Sequence, residues 1–149
     1  MNPIKNIVKD TMKSTGFRCK RNSWYRQCND LIQAINIQKS AWGDQYYINL
    51  CFDFYDGSFI FPSEYSFPAA YMFDLIIRVS QAFDADFEAL DYENDYDSER
   101  RAESILGIFA KCIEFMNMYN STVPLKNKFI KEKKNYGLSV GPLRDILYG

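Results

Sequence analysis

Amide, tyrosine and carboxylate side chains recur at alternate positions between residues 24 and 55, where the chain reads WYRQCNDLIQAINIQKSAWGDQYYINLCFDFY. Alternate residues of a β-strand point to the same face of a sheet, so this spacing would gather them on one surface. Amides both donate and accept hydrogen bonds, which suits recognition of a partner's backbone or of a polar ligand. A solvated outer face is the plainer interpretation of the same pattern. The candidate binding residues are Tyr25, Asn36, Gln38, Lys39, Trp42, Tyr47, Asn49 and Asp53.

A second candidate site is strongly acidic, because residues 84–97 hold seven carboxylates and no basic side chain. Their spacing lacks the central glycine and the terminal glutamate of an EF-hand, so we predict no calcium loop. A solvated loop is one interpretation. The other is a docking patch for a basic protein, with carboxylates that could occupy the phosphate-binding groove of a nuclease. The residues of this predicted docking loop are Asp84, Asp86, Glu88, Asp91, Glu93 and Asp95.

The side chains that most often perform catalysis are scarce in this chain. It contains no histidine, which is the most frequent general base and metal ligand. Its four cysteines match no zinc-binding or CxxC spacing. We therefore predict no cofactor and no metal ion. An enzyme would have to use the polar surface, which has no obvious pair of nucleophile and base. The candidate groups for such an enzyme are Asp53, Asn36, Asn49, Gln38, Lys39 and Arg26.

Length, composition and charge narrow the class of protein. A chain of 149 residues with 47% hydrophobic and 25% charged residues predicts a single globular domain over residues 1–149. The net charge of −1 creates no overall field that would favour nucleic acid or a membrane surface. The N-terminus lacks the apolar segment of a signal peptide, and no apolar run is long enough to span a membrane. Four cysteines in a chain without an export signal predict a cytoplasmic location.

The polar surface needs strands to position it, and the same stretch predicts three of them. Residues 29–30 are a hairpin turn signal, and a second turn falls within residues 40–44. Strands centred on these turns place Trp24 opposite Ile35, and Ile35 opposite Leu50. The apolar face of this meander then carries Trp24, Ile35, Ile37, Ile48, Leu50, Phe52 and Phe54. The opposite face aligns Ser23, Asn36 and Asn49 in one row across the strands.

Apolar residues at helical spacing predict helices in other parts of the chain. Residues 3–14 and 98–119 form two of them, and a basic helix follows Pro124. Residues 69–83 fit either a helix or a strand, and their β-branched residues favour a strand that begins near Phe73. The remaining predicted elements are a short strand over residues 58–61 and a C-terminal helix that docks Leu143, Ile146 and Leu147. The predicted fold is α+β, an antiparallel meander sheet of four to five strands with helices packed mainly on one face.

The meander also carries motifs that resemble those of a known family. They are Gly16-Phe17, Trp24-Tyr25-Arg26, the run IQAINIQKS over residues 32–40, Trp42-Gly43 and the run YYINL over residues 46–50. In this order they are similar to the GFK, FYR, VINLQKS and FYINLG strands of the bacterial family called domain of unknown function 4304. The stretch Ile76-Ile77-Arg78 is similar to a later strand of that family. The resemblance implies an α+β fold, and it implies no catalytic activity, since none is established for the family.

The expected function is that of a non-enzymatic, cytoplasmic, bacterial binding protein. Its most specific form is an immunity-type protein that neutralises a toxin by masking the active site of that toxin. The expected partner is then a protein, either a toxin or another basic protein. Neither a membrane nor a nucleic acid is expected. The alternatives are a small-ligand-sensing module and an enzyme, both using the polar face of the sheet.

Overall fold

A computed structural model describes the protein over residues 2–57, 72–132, 138–139, 143 and 146–147. Its helices are α1 (Pro3–Met12), α2 (Val79–Ala82), α3 (Ser98–Met118) and α4 (Thr122–Glu132), with a 3₁₀ turn at Phe87–Leu90. Its strands are β1 (Arg18–Lys20), β2 (Ser23–Cys28), β3 (Leu31–Lys39), β4 (Tyr46–Phe54), β5 (Leu75–Arg78) and β6 (Leu138–Ser139). The strand predicted over residues 58–61 lies outside the described residues.

The strands form one antiparallel sheet in which sequence neighbours are also neighbours in space, in the order β1-β2-β3-β4-β5-β6. Consecutive strands joined by short turns pair with one another most readily, which produces such a meander. The strands β1 to β5 make up the predicted number, and the two-residue strand β6 extends the sheet beyond β5. Together with the helices, this sheet confirms the predicted α+β fold.

The predicted register of the central strands is confirmed. Trp24 pairs with Ile35, and Ile35 pairs with Leu50. At the first turn, Asn29 has a φ of 53°, in the left-handed region that asparagine tolerates better than most residues. The neighbouring Asp30 then ties this turn to the start of α4, because its carboxylate accepts the backbone N–H of Thr122 at 2.9 Å. A one-residue slip would break these contacts and move every side chain to the other face.

Helices α1 and α3 cover the face of the sheet that was predicted to be apolar. The ring of Trp24 meets that of Phe109 on α3 edge-on, with centroids 5.6 Å apart. Buried side chains of the predicted core face are Trp24, Ile35, Ile37, Ile48, Leu50 and Phe52, and Phe54 is half-buried. Helix α1 adds Ile4, Val8 and Met12, and the C-terminal residues Leu143 and Leu147 are buried in the same core. The prediction that the helices pack mainly on one face is confirmed.

A polar pair lies within this covered face. The side chain of Gln33 is fully buried, and its Nε2 donates to the carbonyls of Met116 at 2.9 Å and Tyr119 at 3.1 Å. The last carbonyls of a helix have no partner inside the helix, so this amide satisfies the C-terminal end of α3. Arg26 donates from Nε to Gln33 Oε1 at 2.8 Å and stacks on the ring of Phe17. Arg26 is therefore on the opposite face of the sheet from the row of asparagines.

The ambiguous stretch over residues 69–83 contains strand β5, as predicted, which begins shortly after Phe73. The chain then turns directly into the short helix α2. The long helix α3 confirms the predicted helix over residues 98–119, and Asp97 caps it by accepting the backbone N–H of Arg100 at 3.0 Å. Among the described residues, no helix combines the length and the apolar character needed to cross a bilayer.

Candidate functional site

The predicted polar row lies on the face of the sheet opposite α1 and α3. Asn36 donates to Ser23 Oγ at 2.9 Å, and Asn49 donates to Asn36 Oδ1 at 3.0 Å. The register extends this row on β5 to Arg78, which pairs with Asn49 and was absent from the predicted set. Ser23 and Asn49 are buried, whereas Asn36 is half-buried. The amides therefore bond to one another, and the row is a hydrogen-bonded ladder across neighbouring strands.

The accessible end of the ladder is formed by Gln38, Tyr47 and Arg78. Gln38 Oε1 accepts hydrogen bonds from Asn49 Nδ2 at 3.0 Å and from Arg78 Nη2 at 3.3 Å. The guanidinium carbon of Arg78 lies 4.1 Å from the centroid of the Tyr47 ring, which is a cation–π contact. Gln38 is exposed, and so is Lys39 at the end of β3. A ligand can therefore reach the ladder at this end.

Tyr25 belongs to a separate apolar cluster on the same face. Its ring lies 6.1 Å from that of Phe73, centroid to centroid. The buried members of this cluster are Tyr25, Ile32, Ala34, Cys51 and Phe73. Because Phe73 comes from the chain just before β5, a distant segment covers this part of the face. Tyr25 is only 4% exposed as a result, and it does not present its ring to a partner in this arrangement.

Asp53 lies at the border of this cluster, close to a second carboxylate. Its Oδ1 accepts the backbone N–H of Asp74 at 2.6 Å, and Asp74 Oδ2 accepts the backbone N–H of Leu143 at 3.0 Å. Burial raises the pKa of Asp53 to about 7, and the nearby Asp74 charge adds to this rise while the hydrogen bond opposes it. Asp53 is half-buried and far along the strand from Gln38, so it does not join the accessible end of the ladder.

The acidic segment over residues 84–97, hereafter the acidic platform, folds around the buried guanidinium of Arg101. Arg101 Nη1 donates to the carbonyls of Ala89 at 2.9 Å and Asp91 at 2.7 Å. Its Nη2 donates to Asn94 Oδ1 at 3.2 Å. A positive charge enclosed by this segment offsets part of the repulsion among its carboxylates. The segment is therefore an ordered platform with its own hydrogen bonds.

The acidic platform is attached to the turn between β3 and β4. Gln45 and Asp91 form an isolated β-bridge, and the backbone N–H of Asp44 donates to Glu93 Oε1 at 3.0 Å. Trp42 is part of the same turn, and its side chain is 96% exposed. The structure thus brings one member of the predicted polar surface, Trp42, beside the predicted docking loop.

The carboxylates of the predicted docking loop divide into two groups. Asp86 accepts from the hydroxyl of Tyr96, while Asp91 and Glu93 bind groups of the neighbouring turn. The others have exposed side chains that make no hydrogen bond or ion pair within the described part of the chain. They are Asp84, Glu88 and Asp95. The carboxylates of this second group therefore have their full hydrogen-bonding capacity available to another molecule.

A cleft of about 240 Å³ lies between the accessible end of the ladder and the acidic platform. Strand β4 and the start of α2 form one side, and the 3₁₀ turn forms the other. Its lining residues are Gln45, Tyr46, Tyr47, Ile48, Arg78, Val79, Ser80, Phe87, Leu90 and Asp91. Among the described residues, no three histidine, cysteine or acidic side chains come together in a way that could hold a metal ion.

Two arginines that organise this region were missed from the sequence. Arg78 follows the alternation of β5, so the pairing of β5 with β4 would have placed it in the row, but that pairing was not predicted. Arg101 falls one helical turn before Ile105, on the buried stripe of α3, and this spacing was a usable signal. What neither signal shows is the partner of each arginine, because these contacts are made with distant segments.

The fold and this region define the class of protein: a small α+β protein with a charged cleft and an ordered acidic platform at one end of its sheet. The sequence model of the family described as Domain of unknown function (DUF4304) matches residues 8–117, and the chain belongs to this family. The match confirms the resemblance seen in the motifs of the meander. No curated protein and no solved structure matches the chain at a significant level.

Proposed function

We propose that this chain is a non-enzymatic, cytoplasmic, bacterial protein that binds a basic protein partner through Trp42 and the acidic platform. The observation that supports this most is Trp42, which is 96% exposed on the turn that Glu93 binds through the backbone N–H of Asp44. Tryptophan is among the residues that contribute most to binding at protein interfaces, particularly where the surrounding contacts exclude water from it. An anchor of this kind accounts for an aromatic side chain that packs against so little of its own chain.

The order within the acidic platform supports a surface that is formed before the partner arrives. Arg101 donates hydrogen bonds to two backbone carbonyls of the platform. Glu93 accepts a hydrogen bond from the turn that carries Trp42. A surface that is already ordered loses less conformational entropy when it binds than a flexible loop does. The acidic segment therefore suits specific docking better than a solvated, mobile loop would.

The charge of the acidic platform identifies the chemistry of the partner. The outward-facing carboxylates of Asp84, Glu88 and Asp95 would meet lysine and arginine side chains. Such complementarity raises the association rate and excludes acidic competitors more than it raises affinity. Association should therefore slow as salt rises, because the Debye length falls to about 8 Å at physiological ionic strength.

The specific form that we propose is an immunity-type role, in which the acidic platform masks the active site of a toxin. An active site that binds phosphate groups is lined by basic residues, and these are the natural complement of the platform. This form also predicts that the neighbouring gene encodes the toxin. A ligand sensor or an enzyme on the polar row has less support, because the amides of that row already bond to one another.

The experiment is capture of partners from a lysate of the native host with three immobilised proteins: the wild type, Trp42→Ala and Met118→Ala. Met118 is also an exposed large hydrophobic residue, but it lies near the end of α3 and so serves as a matched control. We expect one basic protein to be retained by the wild type and by Met118→Ala. With the purified partner, Trp42→Ala should weaken binding by about thirtyfold or more, the ~2 kcal/mol of a typical hot spot.

The immunity-type role is tested by adding the chain to the purified partner in equimolar amounts and measuring the activity of the partner. Inhibition that Trp42→Ala abolishes would support masking of the active site. Binding without inhibition would support the proposed binding role and contradict the immunity-type role. If Trp42→Ala binds as tightly as the wild type, the proposed surface is wrong.

A further inference from the structure

The cleft between β4 and the acidic platform holds one positive and one negative side chain that do not neutralise each other. Arg78 and Asp91 both line it, and no ion pair joins them. Each is held by a neutral neighbour instead. Arg78 contacts Gln38 Oε1 at 3.3 Å, and Asp91 Oδ2 accepts from Gln45 Nε2 at 3.5 Å. The two charges therefore remain separated at the edge of one small cavity.

Both charged groups keep unused hydrogen-bonding capacity. A guanidinium has five N–H donors, and among the described residues only one of them, on Nη2 of Arg78, makes a hydrogen bond. The stacking of Arg78 on Tyr47 fixes the plane of the guanidinium, which favours the two parallel bonds that a carboxylate accepts. Asp91 accepts one bond at each oxygen, from Gln45 and from the backbone of Glu93, and a carboxylate has room for more.

Apart from these two charged residues and the polar Gln45 and Ser80, the lining is made mainly of apolar and aromatic side chains, and the cleft is small. Its apolar lining residues are Tyr46, Ile48, Val79, Phe87 and Leu90. Its volume is about 240 Å³. Pockets for drug-sized ligands are larger, at about 300–1,000 Å³. The occupant must therefore be small, with an apolar body and charges of both signs.

We propose that this cleft binds a free amino acid with a large apolar side chain. The carboxylate of the amino acid meets Arg78, its ammonium group meets Asp91, and its side chain packs against the apolar lining. A zwitterion is the ligand class that satisfies both charges at once, whereas an ion of one sign would leave the other group unpaired. This site goes beyond the binding of a protein partner through Trp42 and does not depend on it.

The experiment is isothermal titration calorimetry of the whole chain with L-phenylalanine and its two truncated analogues at millimolar concentrations. 2-Phenylethylamine lacks the carboxylate, and 3-phenylpropionate lacks the ammonium group. We expect L-phenylalanine to bind and each analogue to bind at least about tenfold more weakly, because each loses a charge-assisted hydrogen bond. Absence of binding by L-phenylalanine, or equal binding of either analogue, would overturn the proposal.

Variants of the chain locate the site. Arg78→Gln and Asp91→Asn should each weaken L-phenylalanine binding by at least about tenfold, with circular dichroism confirming that each variant folds. Arg18→Gln, an exposed arginine on strand β1, and Glu103→Gln, an exposed glutamate on α3, are the matched controls and should bind as the wild type does. If both cleft variants bind as tightly as the wild type, the ligand occupies another site. If a cleft variant does not fold, the analogue series on the wild type decides the question.

Discussion

The face of the sheet that α1 and α3 cover is a continuous layer of large apolar side chains, whereas the opposite face is divided in two. One part of that opposite face is a small apolar cluster around Tyr25 and Phe73, and the other is the ladder of amides. Both faces follow from the same alternation along β2, β3 and β4. The difference teaches that alternation assigns a side chain to a face, while the segments that pack on that face decide how much of it is buried.

Two amides on β3 make the comparison concrete. Gln33 lies on the covered face, where it is fully buried and binds the carbonyls at the end of α3. Asn36 lies on the opposite face, is half-buried, and bonds to Ser23 and Asn49 within the sheet. One amide therefore joins the sheet to a helix, and the other joins strands that already pair through their backbones.

The largest effect is expected from the centre of the covered face. Leu50 is fully buried beside Ile35, and Leu50→Ala should reduce the free energy of unfolding by about 2–5 kcal/mol, measured by urea denaturation. The control is Gln38→Ala, an exposed side chain on the opposite face that loses two hydrogen bonds but no buried apolar contact, so it should change this free energy by no more than about 1.5 kcal/mol. Similar losses for the two variants would contradict the assignment of the faces.

The next largest loss of stability is expected from the buried amide of Gln33. Gln33→Leu removes the donor to two carbonyls at the end of α3 and the acceptor of Arg26, so we expect a loss of about 2–3 kcal/mol in urea denaturation. Amide hydrogen exchange in the last turn of α3 should rise together with this loss. A variant as stable as the wild type would show that water or neighbouring groups satisfy these carbonyls without Gln33.

Much of the sheet could be predicted because its determinants are local. The turn at residues 29–30 and the alternation around Ile35 are enough to determine how three neighbouring strands pair. The same alternation puts Gln33 and Arg26 on the covered face, so the prediction of Arg26 among the groups of the polar surface was wrong. Their partners on α3 are far away along the chain, and no local pattern shows such a contact.

The candidate site was less accessible to sequence reasoning, for the same reason. The acidic segment was identified from composition, but its order depends on Arg101, whose contacts follow from the packing of α3. The polar surface was identified from alternation, but the burial of Tyr25 depends on Phe73, from another segment. The cleft lies between elements whose relative positions no single stretch determines, so neither Arg78 nor the cleft itself was predicted.

A third prediction concerns Asp53, on the face opposite α1 and α3, and its effect on how stability depends on pH. Burial raises the pKa of Asp53 to about 7, so between about pH 4 and pH 7 the folded state binds more protons than the unfolded state. The contribution of Asp53 to stability is therefore present at low pH and is lost as the pH rises through 7. Asp53→Asn should remove this loss. The melting temperature of this variant, measured by thermal denaturation, should therefore change less between pH 5 and pH 8 than that of the wild type.

We expect this effect to be smaller than that of Gln33→Leu, because Asp53 is half-buried and solvent screens its charge. Asp10→Asn is the control, since Asp10 is an exposed carboxylate on α1. The melting temperature of Asp10→Asn should change with pH as steeply as that of the wild type. If the melting temperature of Asp53→Asn changes with pH as steeply as that of the wild type, Asp53 does not keep its proton near neutral pH.

The smallest effect is expected within the ladder itself. Asn36→Ala removes the donor to Ser23 and the acceptor of Asn49, but the backbone pairing of the strands remains, so we expect a loss of about 0.5–1.5 kcal/mol in urea denaturation. The half-buried position of Asn36 lets water replace part of what is lost. A loss larger than that of Gln33→Leu would reverse the comparison between the faces. It would mean that the ladder, and not the helix contact of Gln33, is the more important polar element of β3.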